Sequence, residues 1–215
     1  MVDTVLCGDG SARGLALVLE RLVPRPTRPV KRLEQYRTPA ELSVAILWRL
    51  AVAGRQPRIV YDLGCGTGML AYTAACMGCG YVVGVDIDPG LLAEAVSSRL
   101  HELLPNIDFA AADALHPPLR SVDGLAVMNP PFGIASRRGI DMDFVAEACR
   151  LTGWVLSIHD AHTRGLEELA SRRCGGSCRV IGEAEFPLPA MYPGHRKKLH
   201  YIRVAIIECR RGVDG

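Results

Sequence analysis

A chain of 215 residues with 49% hydrophobic content and a formal net charge of +2 is long enough for one large core with a short appendage, and too short for two full domains. It has no run of 18 apolar residues, and its start, with Asp3, Gly8 and Asp9, lacks a basic stretch followed by an apolar one. No membrane span or secretory leader is therefore expected, and the cytoplasm is the expected compartment. Of the 25 basic residues 22 are arginine, the side chain suited to phosphate forks and base stacking, which is compatible with an RNA partner.

In chain order, Leu15, Val18, Leu19 and Leu22 fall at helical spacing over residues 11–22, and Pro24, Pro26 and Pro29 forbid continuation. This predicts an N-terminal helix and a proline-rich linker over residues 1–30, ahead of a main domain over 31–211. Thr38-Pro39-Ala40-Glu41 has the form of a capping box with proline at the first helical position, opening a helix that Gly54 closes. An alternation follows: strand 58–61, helix from Met69, strand 81–85, helix 91–103, strand 107–111, strand 124–128, helix from about Asp141, strand 154–158 and helix near 163–173. Two late strands, 179–186 and 199–208, complete it. Such alternation means a parallel sheet with helices on both faces.

Eight cysteines raise metal and disulfide readings. Cys76-x-x-Cys79 with Cys174-x-x-x-Cys178 resembles half of a zinc pattern, but the pairs lie far apart and lack the turn residues of a knuckle, so no metal is expected. Cys7, Cys65, Cys149 and Cys209 sit in apolar surroundings that suit small buried side chains. A cytosolic disulfide would be at home mainly in a hyperthermophile.

Asp62-Leu63-Gly64-Cys65-Gly66-Thr67-Gly68 follows the first strand of the alternation and opens a helix, so its glycines let a ligand approach the backbone. A dinucleotide fingerprint would place the third glycine one residue later, and the acid before the turn repels phosphate but attracts an ammonium. S-adenosylmethionine carries such an amine, a carboxylate that loop amides can hold, and no phosphate. Asp86 ends the next strand about twenty residues beyond the glycines, where a carboxylate can accept two ribose hydroxyls. Asp113 and Asn129 end the following two, and parallel strands put Asp62, Asp86, Asp113 and Asn129 on one carboxyl edge. Asp113 serves equally well as a turn residue or as an adenine contact, and Asp88, before Pro89, reads as a helix N-cap.

Asn129-Pro130-Pro131-Phe132 names a chemistry. The lone pair of a nucleobase amine is delocalised into the ring and attacks a methyl donor poorly until the nitrogen is bent toward tetrahedral. The Asn129 side-chain oxygen and the Pro130 carbonyl can take the two amine protons while Phe132 stacks on a base flipped from its helix. Arg137 and Arg138 follow this loop, and His195-Arg196-Lys197-Lys198 is the densest basic cluster; both are candidate RNA contacts. His159 and His162 read as loop polar residues without a catalytic role.

Together these residues resemble the class I S-adenosylmethionine-dependent methyltransferases. Leu33-Glu34-Gln35-Tyr36-x-Thr38-Pro39, the glycine loop, Gly84-Val85-Asp86-Ile87-Asp88, Met128-Asn129-Pro130-Pro131-Phe132-Gly133 and Phe186-x-Leu188-Pro189-x-x-Tyr192 narrow the likeness to the small-subunit ribosomal RNA adenosine N(6)-methyltransferases, over roughly residues 30–210. The resemblance implies a Rossmann-like α/β fold with a seven-stranded, mostly parallel sheet and an antiparallel last strand. It implies that Gln35, Tyr36 and Thr38 lie over the cofactor, joined by Asp62, Gly64, Cys65, Gly66, Gly68, Asp86, Ile87, Asp113, Ala114 and Asn129. It also implies a small zinc-binding activator protein; strand 107–111, if an edge, offers it unpaired backbone with Phe109 as an anchor. The alternatives are methylation of the guanosine 2-amino group or of a protein glutamine amide, and a non-catalytic cofactor-binding subunit.

Overall fold

The computed structural model describes residues 10–189 and 199–212. Seven strands, β1 (Ile59–Leu63), β2 (Tyr81–Asp86), β3 (Ile107–Ala111), β4 (Leu125–Met128), β5 (Trp154–Asp160), β6 (Gly176–Pro189) and β7 (Leu199–Arg211), form one sheet in the order β3-β2-β1-β4-β5-β7-β6. Neighbours from β3 to β5 pair in parallel, and β7 runs antiparallel to both β5 and β6. The apolar run of β4, buried along its whole length, is what a central strand covered on both faces requires. Alternate residues serve two cores: Val60, Leu125, Val127 and Ile158 face one, and Tyr61, Leu63, Ala126 and Met128 face the other.

Helices α1 (Ala12–Leu22), α2 (Ala40–Val52), α3 (Met69–Cys76) and α5 (Arg99–Leu103) contribute to the first core, and α6 (Ile140–Thr152) and α7 (Leu166–Cys174) to the second; α4 (Pro89–Val96) follows β2. Ser11 caps α1 by accepting from the Gly14 N–H at 3.0 Å, and Leu15 and Leu19 are buried in the same core as the sheet. The linker after α1 is tied down along its length. Ser98 Oγ donates to the Leu22 carbonyl at 2.9 Å, Thr67 Oγ1 to the Pro24 carbonyl at 2.7 Å, and Thr27 donates to the Glu94 carboxylate.

Several expectations need correction. The helix expected over 91–103 is two, because Ser98 caps α5 by accepting from the Leu100 N–H, and the same hydroxyl reaches Leu22. Strands β6 and β7 extend three residues or more beyond the apolar stretches, since a long antiparallel hairpin is stabilised by its own ladder. Thr38 does not cap α2: its hydroxyl is engaged by Asn129, and Pro39 stands at the N-cap.

The cysteines pair. Cys149–Cys174 links α6 to α7, and Cys178–Cys209 links β6 to β7, so Cys149 and Cys209 are buried as expected but as half-cystines, and both cysteines of the Cys174-x-x-x-Cys178 pattern are engaged. Cys7 lies outside the described residues. With sequence separations of 25 and 31 residues, loop-closure entropy assigns each bridge about 3–4 kcal/mol. Cys178→Ser combined with Cys209→Ser is therefore expected to lower the melting temperature by roughly 10 °C, measured calorimetrically against wild type without reductant.

Candidate functional site

One cleft opens at the carboxyl ends of β1, β2 and β4. Gln35, Tyr36, Thr38, Asp62, Gly64, Cys65, Gly66, Asp86, Ile87, Asp113, Ala114, Asn129 and Pro131 all line it, together with Pro26 from the linker. The glycine loop turns back under β2, with the Gly64 and Cys65 N–H groups both donating to the Val85 carbonyl at 2.8 and 3.0 Å. Gly64 has φ 73°, a left-handed conformation that glycine adopts without penalty. Gly68 is the exception among the expected cofactor residues. It is absent from the cleft lining, and a Cβ there would meet the Phe109 ring at 2.8 Å, so this glycine serves packing at the start of α3.

The acids differ in what they leave open. Asp62 is buried; its Oδ2 accepts from the Ala71 N–H at 2.8 Å, while its Oδ1 is buried with no partner. Desolvation, opposed by the Ala71 bond and reinforced by Asp86, pushes its pKa up to about 8. Asp86 Oδ2 accepts from the Gly66 N–H at 2.8 Å and Oδ1 from the Asp88 N–H at 2.9 Å; each oxygen retains a further lone pair, and burial raises this pKa too. Asp88 caps α4 through the Gly90 N–H, and Asp113 accepts from the Leu115 N–H at 2.9 Å, so the turn role holds while the residue still lines the cleft.

Asn129 is held by one face of its amide. Nδ2 donates to the Thr38 hydroxyl at 3.1 Å and to the Tyr36 carbonyl at 3.4 Å, which turns Oδ1 the other way, where it is buried and unpartnered. Pro130 is buried, and the half-buried Phe132 ring meets Phe186 edge-on at 5.7 Å and 90°. Gln35 accepts from the Val30 N–H and donates to Asp88 at 2.9 Å, fastening the segment from Glu34 to Thr38 across the cleft mouth.

Arg137 pairs with Asp143, and Arg138 is exposed beside the same loop. His195, Arg196, Lys197 and Lys198 lie outside the described residues, as does Tyr192. His159 is not a loop residue but fully buried within β5, between the Ser157 hydroxyl at 2.8 Å and the Asp141 carboxylate at 3.1 Å, joining β5 to the first turn of α6. Phe109 also departs from expectation. Its ring packs on Tyr72 at 5.5 Å and His101 at 5.8 Å and lies against Gly68 and Gly84, so it belongs to this chain's own packing. The residue overlooked is Glu34: its carboxylate accepts from the Phe132, Ala135 and Ser136 N–H groups and from the Ser136 hydroxyl, at 2.7–2.8 Å.

Sheet order, glycine loop and strand-end acids together define a class I methyltransferase, and a family model described as a methyltransferase domain matches residues 60–152. The chain is 34% identical to the rRNA N(6)-adenosine-methyltransferase METTL5 of Danio rerio, covering 81% of this chain and 87% of that protein. It is 35% identical to the rRNA N(6)-adenosine-methyltransferase metl-5 of Caenorhabditis elegans, with 86% and 91% covered. The chain belongs to the rRNA N(6)-adenosine-methyltransferase family. A solved structure from Pyrococcus horikoshii, provisionally described as an RNA methyltransferase, superposes with a TM-score of 0.80 at 29% identity, covering 95% of this chain and 98% of that one.

Proposed function

We propose that this protein methylates the 6-amino group of an adenosine in small-subunit ribosomal RNA, with S-adenosylmethionine as donor. The observation that carries the proposal is the buried, partnerless Oδ1 of Asn129 at the lip of the cleft. A buried acceptor without a donor costs about 1–3 kcal/mol, and an incoming amine N–H relieves it. The residues fit the cofactor. The open Oδ1 of Asp62 would hold its ammonium, Asp86 its ribose hydroxyls, and Ile87, Asp113 and Ala114 its adenine, with Gln35, Tyr36, Thr38, Gly64, Cys65 and Gly66 lining the same cleft. When bound, S-adenosylmethionine supplies an electrophilic methyl group on a sulfonium.

The rest is done by the chain. Asn129 Oδ1 and the Pro130 carbonyl accept hydrogen bonds from the two amine N–H groups and bend the nitrogen lone pair toward the donor side; the one proton that the methylated nitrogen sheds passes to solvent, since neither oxygen is basic enough to keep it. Pro131 stiffens the turn and Phe132 stacks on the flipped base, so catalysis is orientation plus acceptor electrostatics. Arg137, Arg138 and the basic run 195–198 hold phosphates. The names of the relatives favour adenosine over guanosine or a glutamine amide. The test is nucleoside mass spectrometry of ribosomal RNA treated with protein and donor. N(6)-methyladenosine supports the proposal; methylguanosine, or no methylated nucleoside at all, overturns it.

The proposal extends to a strand-adding partner, the zinc-binding activator that the family resemblance implies, and to action in the cytoplasm. No helix among the described residues is long and apolar enough to cross a membrane. In support of the partner, β3 is an edge. Val82 donates to the Asn106 carbonyl and Ala112 to the Asp86 carbonyl, so by parallel alternation the N–H groups of Ile107, Phe109 and Ala111 face away from β2. Ala111→Pro removes one outward donor without touching the β2 ladder, and is expected to weaken co-purification of the partner at unchanged cofactor affinity; undiminished co-purification would exclude this edge.

A further inference from the structure

Glu34 combines two unfavourable features beside the site. It is the only non-glycine residue with positive φ (50°) among the described residues, a region that costs an L-residue about 1–2 kcal/mol. Its side chain is also buried, with the residue 6% exposed, and every hydrogen-bond partner recorded for its carboxylate is an N–H or hydroxyl of the loop that follows Asn129. Such conformations persist only where surrounding structure over-determines them, and they concentrate at functional sites.

Oε2 accepts from the Phe132 N–H at 2.7 Å, while Oε1 gathers the Ala135 N–H at 2.7 Å, the Ser136 N–H at 2.8 Å and the Ser136 hydroxyl at 2.7 Å. One carboxylate thus folds residues 132–136 around itself. The same short segment fixes the other end of the loop, through the Tyr36 carbonyl and Thr38 hydroxyl on the Asn129 amide, and reaches Asp88 through Gln35. We propose that Glu34 is a positioning residue for methyl transfer: its carboxylate sets the backbone of the acceptor loop so that the Asn129 oxygen and the Phe132 ring meet the same base. Glycine would relieve the backbone there but could not hold the loop, and a neutral amide presents one oxygen where the loop points donors at two. The inference rests on the methyltransferase reading of the site and not on which base is methylated.

The test is steady-state and single-turnover kinetics with ribosomal RNA, alongside cofactor affinity and melting temperature. Glu34→Gln is expected to lower kcat about thirtyfold to a hundredfold, because loop misplacement of an ångström has that effect on aligned reactants. Cofactor Kd should stay within about threefold: Glu34 lines the same cleft, but its carboxylate bonds only Phe132, Ala135 and Ser136, none of them among the residues assigned to the cofactor. Ser136→Ala, which removes one hydroxyl bond and leaves the backbone alone, should lower kcat about threefold to tenfold with melting unchanged; it keeps the inference testable if Glu34→Gln does not fold. A kcat within twofold of wild type in Glu34→Gln or Ser136→Ala would overturn the inference, as would parallel loss of cofactor binding and kcat. Wild-type product identity is read in the same digests: an unexpected nucleoside or an inactive wild type counts against the function, whereas an active wild type with unaffected variants counts against Glu34 alone.

Discussion

Asn129→Ala is expected to lower the single-turnover rate of methyl transfer about a hundredfold or more, the effect of losing one preorganised hydrogen-bond partner in a water-excluded site. The expectation rests on the buried Oδ1 having no partner within the protein. Truncation removes the acceptor that the nucleobase amine would meet and frees the Thr38 hydroxyl and Tyr36 carbonyl to take other donors. Asn129→Asp separates acceptance from orientation. The acid keeps an oxygen for the amine but replaces the N–H donor to Tyr36 and Thr38 with a second oxygen, which the Tyr36 carbonyl repels. It is expected to fall nearly as far as alanine. Wild-type single-turnover rates in Asn129→Ala would remove this residue from the mechanism.

Asp62→Asn is expected to weaken cofactor affinity by two orders of magnitude while leaving the free protein as stable or more so. Losing the charged partner of a buried ammonium costs about 2–5 kcal/mol. In the free protein, however, the carboxyl is buried beside Asp86 and its pKa is pushed up to about 8. An acid whose folded pKa lies above its ordinary value binds its proton more tightly when folded. Its contribution to stability is therefore present in acid and lost as pH rises from about 4 to 8. Cofactor binding runs the other way: an ammonium pairs with the carboxylate, so affinity should tighten from pH 6 toward 8 with proton release, by up to about tenfold per unit. Titration calorimetry in buffers of different ionisation enthalpy measures that proton. A pH-independent affinity in wild type, or an undiminished one in Asp62→Asn, would contradict the assignment.

The strand-end acids and Asn129 were readable because parallel alternation carries each of them to one edge, and the glycine loop because its turn needs φ values that other side chains disfavour. What escaped detection depended on distant partners. Gly68 looks like its neighbours in sequence, yet its neighbour in space is Phe109, forty-one positions on. Thr38 matches a capping pattern that local rules favour, and Asn129, ninety-one residues away, competes for its hydroxyl. Glu34 stands in a recognisable motif, but neither its left-handed backbone nor the loop its carboxylate gathers can be inferred from residues 30–40. The disulfides likewise join cysteines whose proximity arises only once α6, α7 and the final hairpin have packed.

The bonds that hold the linker give the order of synthesis a physical meaning. The carbonyls of Leu22 and Pro24 wait for hydroxyls supplied by Ser98 and Thr67, made many residues later. Leu15 and Leu19, meanwhile, have no core to enter until the sheet exists. The first described segment to leave the ribosome is thus among the last to find its place, and the cleft that Pro26 of the linker lines is complete only then.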